Sequence, residues 1–195
     1  MLTLGQLKEA TCSKSTYASG FLPHIIENCE HFSINTPSRI LNFLAQLGHE
    51  SGGLFYTEEL ASGSAYEGRK DLGNIQKGDG VKFKGRGLIQ ITGRANYKAV
   101  SNALGTDFIV NPTLLGGKNV SKCNNIQLKN AAQSAGWFWN TRHLNELADQ
   151  IDIHKSIDTG NNLLVFKKIT KTINGGYNGL PDRLNRYKAG LSYFL

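Results

Sequence analysis

One helical stripe constrains this chain more than any other feature. Ile40, Leu41, Leu44, Leu47 and Gly48 share one helix face, Pro37-Ser38 opens the run, and Gly52-Gly53 closes it. Proline suits a first turn because its missing N–H needs no partner there, and paired glycines favour a stop. The pattern predicts a core helix with Glu50 in its last turn or just beyond. A carboxyl at that end meets the negative pole of the helix dipole, and burial among apolar residues would disfavour its charge further. Such a group suits general-acid chemistry near neutral pH. Periodicity alone equally allows a solvated glutamate at a helix end.

Other stripes are helical too. Phe21, Leu22, Ile25, Ile26, Cys29 and Phe32 mark one, and Leu128, Ala131, Ala132, Ala135, Phe138 and Trp139 mark another. Leu163, Phe166, Ile169 and Ile173 end at Asn174-Gly175-Gly176, and a last helix from about Asp182 carries Leu184, Tyr187, Leu191 and Phe194. Helical spacing makes Trp137 and Trp139 core residues rather than ligand platforms. The stretch from Glu58 to Thr92 is instead rich in Gly, Ser and charge. Within it Asp79-Gly80 is a turn signal, and Phe83–Thr92 reads as a short, glycine-interrupted strand or hairpin. The pattern is a mostly helical α+β domain, 1–195, with a small β element in its middle. No repeat or linker marks off a separate binding module.

Lys and Arg number 22 against 15 Asp and Glu, a formal charge of +7 that favours an anionic partner. The basic residues are scattered without a dense run, which argues against nucleic acid. No apolar run approaches the roughly 18–20 residues that cross a bilayer, so stable membrane insertion is not expected. The N-terminal residues lack the basic-then-apolar pattern of a secretory signal. Cys12, Cys29 and Cys123 form no CxxC and read as reduced thiols of a protein made in a cytoplasm. His24, His31, His49, His143 and His154 show no metal-ligand spacing, and Gly53 stands where a zinc protease motif needs its second histidine. No nucleotide-binding or Ser-His-Asp signature stands out.

A second carboxylate, Glu59, opens the polar segment beside Glu58, with Glu67 and Asp71 further on. An inverting glycosidase needs an acid and a base about 6.5–9.5 Å apart, with room for water between them. A helix end and the loop beyond a Gly-Gly turn could hold such a pair. Spacing alone leaves Glu58, Glu67 and Asp71 open as bases, and equally an ordinary acidic surface.

Gly48-His49-Glu50-Ser51-Gly52-Gly53 with Glu59, then Gly85-Arg86-Gly87-Leu88-Ile89-Gln90-Ile91-Thr92, then Ile173-Asn174-Gly175-Gly176, resembles glycoside hydrolase family 19. Trp137-Phe138-Trp139 and Asp182-Arg183-Leu184-Asn185-Arg186-Tyr187 keep the same order. Tyr66–Asn74 and Gly78-Asp79-Gly80 resemble its phage and bacterial lysozyme-like branch. The resemblance implies a two-lobed, lysozyme-like fold with a central cleft, Glu50 as general acid, Glu59 as base, and Thr92 holding the attacking water. It implies sugar contacts at Gln90, Asn96, Tyr97 and Asn174, with Arg183 at the cleft, inversion at the anomeric carbon, and no metal or organic cofactor. Asn174 alone could equally be a helix cap. The chain departs from plant-type members in lacking their disulfides and extra loops, and Leu60 stands where bacterial relatives often place an amide. The expectation is a monomeric endolysin cleaving bacterial peptidoglycan and reaching the wall after membrane permeabilisation. Chitin is the alternative substrate, and a non-catalytic glycan-binding domain the unlike one.

Overall fold

The computed structural model describes residues 1–195. Its helices are α1 (Leu4–Thr11), α2 (Ser15–His31), α3 (Pro37–Glu50), α4 (Asp79–Lys82), α5 (Arg94–Leu104), α6 (Asn125–Thr141), α7 (Leu144–Ala148), α8 (Gly160–Asn174) and α9 (Leu180–Leu191). None is long and apolar enough to cross a membrane. β structure is limited to three isolated antiparallel bridges: Tyr56 with Asn119, Glu58 with Arg86, and Arg86 with Ile91.

Helix α3 lies at the centre. Every residue from Leu41 to Gly48 is buried, as happens when a helix has neighbours on all sides. Helices α1 and α9 pack on it and on each other. The approach to α1 depends on Gly48, where a Cβ would lie 2.7 Å from the Thr11 Cα. Thr36 caps the start by accepting the Arg39 N–H at 3.2 Å, and Pro37 takes the first position. The end is equally defined. Gly52 and Gly53 turn left-handed at φ 59° and 71°, and Ser51 Oγ donates to Leu47 O at 2.7 Å. The chain therefore leaves the helix directly after Glu50.

Apolar side chains form two clusters. The larger joins α1, α2, α3, α6, α7, α8 and α9, while the smaller gathers Phe83, Ile91, Tyr97, Val100, Phe108 and Leu115 under the polar middle segment. Leu104, Trp137 and Phe138 pack against both, so α6 joins the lobes. Trp139 is fully buried, with its ring centroid 5.3 Å from that of Phe43. Both tryptophans thus belong to the packing, as their spacing predicts.

Five helices follow the sequence stripes, with α2 starting earlier, at Ser15, and α9 at Leu180. Four helices escape that reading, α4 being a single turn of 4 residues. α1 and α7 have 8 and 5 residues, too few to show a period, and α5 buries only Tyr97 and Val100. The expected hairpin shrinks to one pair, in which Arg86 and Ile91 exchange backbone hydrogen bonds of 3.1 and 2.7 Å. Gly87 and Gln90, at φ 85° and 50°, curl the chain too tightly for a longer ladder.

Gly48→Ala should lower stability by about 1–3 kcal/mol, because backbone rather than a movable side chain meets the new methyl. Gly20→Ala, in α2 with nothing within 4 Å, should leave stability unchanged or raise it by up to about 1 kcal/mol. Urea unfolding of the two variants side by side checks both signs.

Candidate active site

Glu50 is the last residue of α3, and its side chain keeps 17% of its exposure. Its Oε1 accepts a short hydrogen bond from Nη2 of Arg183, a residue with no exposed surface. The other Arg183 donors go to Gln46 Oε1 at 2.6 Å and to Asn178 O at 3.2 Å. Gln46 passes the chain on to Thr170 Oγ1 at 3.1 Å. This corrects the apolar surroundings expected for Glu50, because its nearest partner is a guanidinium. The neighbouring His49 joins its Nδ1 to Asp182 Oδ2 at 2.6 Å, and Arg186 Nε donates to the same oxygen at 2.7 Å. Burial pushes the Asp182 carboxyl up, but hydrogen bonds from Arg186 and His49 outweigh it and hold it below the usual range. Arg186 also reaches Thr11 O, which ties α1 to the same end.

Glu59 stands on the arm that follows. Its backbone N–H donates to Gly85 O at 2.9 Å, and its Oε1 accepts the Gly85 N–H, also at 2.9 Å. Oε2 accepts from the Tyr66 hydroxyl at 2.9 Å. Gly85 brings two further residues close, since a Cβ there would lie 2.6 Å from Gln90 Oε1 and 3.3 Å from Thr92 Oγ1. Thr92 Oγ1 donates to Gln90 O at 2.9 Å, and Asn96 Nδ2 donates to Thr92 O at 2.7 Å. Glu59, Gln90, Thr92 and Asn96 therefore form one polar wall.

The other acidic residues are engaged elsewhere. Glu58 pairs with Lys84 Nζ at 2.9 Å and Arg86 Nε at 2.8 Å. Burial pushes its carboxyl up, but the hydrogen bonds and charges of those two cations prevail and hold it below its ordinary value near 4.5. Glu67 accepts the Gly78 and Gly80 N–H groups at 2.6 and 2.8 Å and closes its own loop. Asp71 pairs with Arg69 on the surface.

One expected sugar contact is corrected. Tyr97 has no exposed surface; its hydroxyl donates to Lys84 O at 2.6 Å and accepts from Arg86 Nη1 at 3.1 Å. It supports the wall from behind and offers no atom to a ligand. Arg183 is buried beneath Glu50 and reaches it with its guanidinium, the carboxylate-neighbour role expected of it, with no surface of its own for a sugar. Asn174 is the exposed last residue of α8, with the left-handed Gly175 as the cap. It shares no hydrogen bond with the other named residues. Sequence reasoning missed Gln46, Tyr66 and Asp182 as supports. Gln46 had a readable signal: it is a polar residue one turn before Glu50 inside an apolar helix.

A family model described as chitinase class I, glycoside hydrolase family 19, matches residues 38–183. The chain belongs to glycoside hydrolase family 19. A family 19 domain-containing protein of Haemophilus influenzae is 32% identical over 178 residues, covering 75% of this chain and 76% of that one. An endochitinase of Arabidopsis thaliana is 32% identical over 154 residues, covering 76% of this chain but 45% of the plant protein. A solved bacterial family 19 chitinase superposes with a TM-score of 0.67 at 22% identity, covering 98% of this chain and 94% of that one. Chitinase C from Streptomyces griseus gives 0.64 at 23% identity, covering 98% and 76%. The last two show the fold, which is the mostly helical, lysozyme-like type that the motifs imply. This family 19 member is a glycoside hydrolase, and its substrate class is a glycan polymer.

Arg183→Lys keeps the charge but loses the fork that holds Glu50 and Gln46 together. It should lower kcat about a hundredfold with KM nearly unchanged, as expected when a misplaced group costs the chemical step. Arg183→Met should in addition destabilise by about 3 kcal/mol, read by thermal melting. A second expectation concerns pH. The folded value of Glu58 is depressed, so its contribution is fully present above about pH 4.5 and is lost as pH falls through the folded value. Glu58→Gln should be less stable at pH 7 and lose less stability than wild type between about pH 4.5 and pH 3, in urea titrations at each pH.

Proposed function

We propose that this hydrolase cleaves β-1,4 bonds of bacterial peptidoglycan with inversion, in the manner of an endolysin, with Glu50 as acid and Glu59 as base. The occupancy of the other carboxylates carries this reading. Glu58 and Asp71 are paired with cations, and Glu67 closes its own loop on Gly78 and Gly80. Glu59 instead has no cation partner and, held by the Gly85 N–H and the Tyr66 hydroxyl, lies across Gly85 from Thr92.

Each step then has an atom. Arg183 holds Oε1 of Glu50, which leaves Oε2 to carry the proton to the departing glycosidic oxygen. Thr92 Oγ1 spends its hydrogen on Gln90 O and can accept one from water. A water between Thr92 and Glu59 gives one hydrogen to each, with a lone pair free for the anomeric carbon. As the bond forms, Glu59 takes the proton. Gln90 and Asn96 present amides to sugar hydroxyls along the same wall. No metal or organic cofactor enters these steps.

The charge of +7 favours the anionic wall polymer over neutral chitin. Chitin is the second reading, supported by the plant relatives that are named endochitinases.

Glu50→Gln and Glu59→Gln should each reduce kcat about a thousandfold on purified peptidoglycan. Glu59→Gln should melt like wild type, whereas Glu50→Gln should melt lower because buried Arg183 loses its counter-charge. NMR of early product should show the α-anomer first. A β-anomer, or an active Glu59→Gln, would remove Glu59 as base. Wild-type release of chitin fragments alone, by mass spectrometry, would move the substrate to the second reading.

A further inference from the structure

We infer that Lys118 and Leu60 recognise the O3 substituent that distinguishes peptidoglycan from chitin, an inference that rests on the substrate reading above. A pocket of about 300 Å³ opens beside Glu59, lined by Glu58, Glu59, Leu60, Lys84 and Lys118. Most of its charge is already matched. Lys84 pairs with Glu58 and donates to Glu59 O at 3.3 Å and Ala61 O at 3.2 Å. Glu59 accepts from Gly85 and Tyr66. Lys118 is exposed and pairs with no carboxylate, and Leu60 is 82% exposed at the same rim.

The lysine stands on well-held backbone. Gly116 packs so closely that a Cβ would lie 2.3 Å from Thr57 O, and Thr57 Oγ1 donates to Gly117 O at 2.5 Å. On its other side Val120 N–H donates to Phe55 O at 2.8 Å, and Asn119 bridges to Tyr56. The segment is thereby pinned along the arm that carries Glu58, Glu59 and Leu60. A free ammonium and a bare leucine on rigid backbone form a small amphipathic site at the reacting bond.

Chitin offers nothing for such a site, since its O3 groups are neutral hydroxyls. Peptidoglycan carries on alternate sugars a lactyl ether, a methyl-bearing link that ends in a carboxyl or in a peptide with its own carboxylates. Leu60 meets the apolar link, and Lys118 meets the carboxylate.

The test measures kcat/KM of Lys118→Gln, Lys118→Glu and Leu60→Ala on three substrates. These are peptide-bearing peptidoglycan strands, strands stripped of peptide by an amidase, and a chitin hexamer. Lys118→Gln should lose about tenfold on a strand that bears the recognised carboxylate, Lys118→Glu more, and Leu60→Ala about threefold, with the hexamer within about twofold of wild type. Loss on intact strands alone assigns the peptide carboxylate, and loss on stripped strands the lactyl one. Lys129→Gln, an equal charge change on α6, should match wild type on all three, which separates contact from general attraction. Equal losses on all substrates, or none on either strand, would overturn the inference alone. A wild type inactive on both strands would overturn the substrate reading instead, and this inference with it.

Discussion

A guanidinium without access to water lies beneath Glu50, and the position of that carboxyl follows from it. A buried charge costs several kcal/mol unless its donors are matched, so Arg183 can be accommodated only where acceptors converge. Those acceptors come from Glu50 and Gln46 on α3 and from Asn178 just before α9. Matching them locks two helices in register. The Asp182 pairs repeat the device one residue away, and Arg186 extends it to α1. The carboxyl proposed to move a proton therefore stands on a helix end tied to both α9 and α1.

The opposing carboxylate is held by quite different means. Glu59 has no charged partner; backbone bridging to Gly85 and the Tyr66 hydroxyl orient it. Its neighbour Glu58 anchors the arm by neutralising Lys84 and Arg86, and Tyr97 fills the space behind. Adjacent glutamates are thus held differently, Glu58 by two cations and Glu59 by uncharged donors. The glycine-rich segment has a matching logic, because a side chain at Gly85 would occupy the space used by Gln90 and Thr92.

Much of this was legible in the sequence. The stripe through Leu41, Leu44 and Leu47 placed Glu50 at a helix end, and the ordered motifs pointed to the family and its lysozyme-like fold. Short helices were not legible, since α1 and α7 span too few turns for a period to emerge. Nor was the depth of a side chain. Tyr97 and Arg183 are polar residues in a glycan-hydrolase motif, and only the packing of Phe83 and Gln46 around them reveals that they work from inside. The choice among Glu58, Glu59 and Glu67 likewise depended on partners 25 or more residues away for two of them, beyond any local pattern.

The unequal cores have a consequence for how the molecule comes apart. The cluster under the polar segment has six buried side chains and rests on α6 through Leu104, Trp137 and Phe138. So small a core releases little free energy on forming, so this lobe opens at lower cost than the helices around α3. Partial melting then detaches Glu59, Thr92 and their loops while Glu50 and Arg183 stay assembled. Heat should on this account separate Glu59 and Thr92 from Glu50 before it unfolds the helical scaffold.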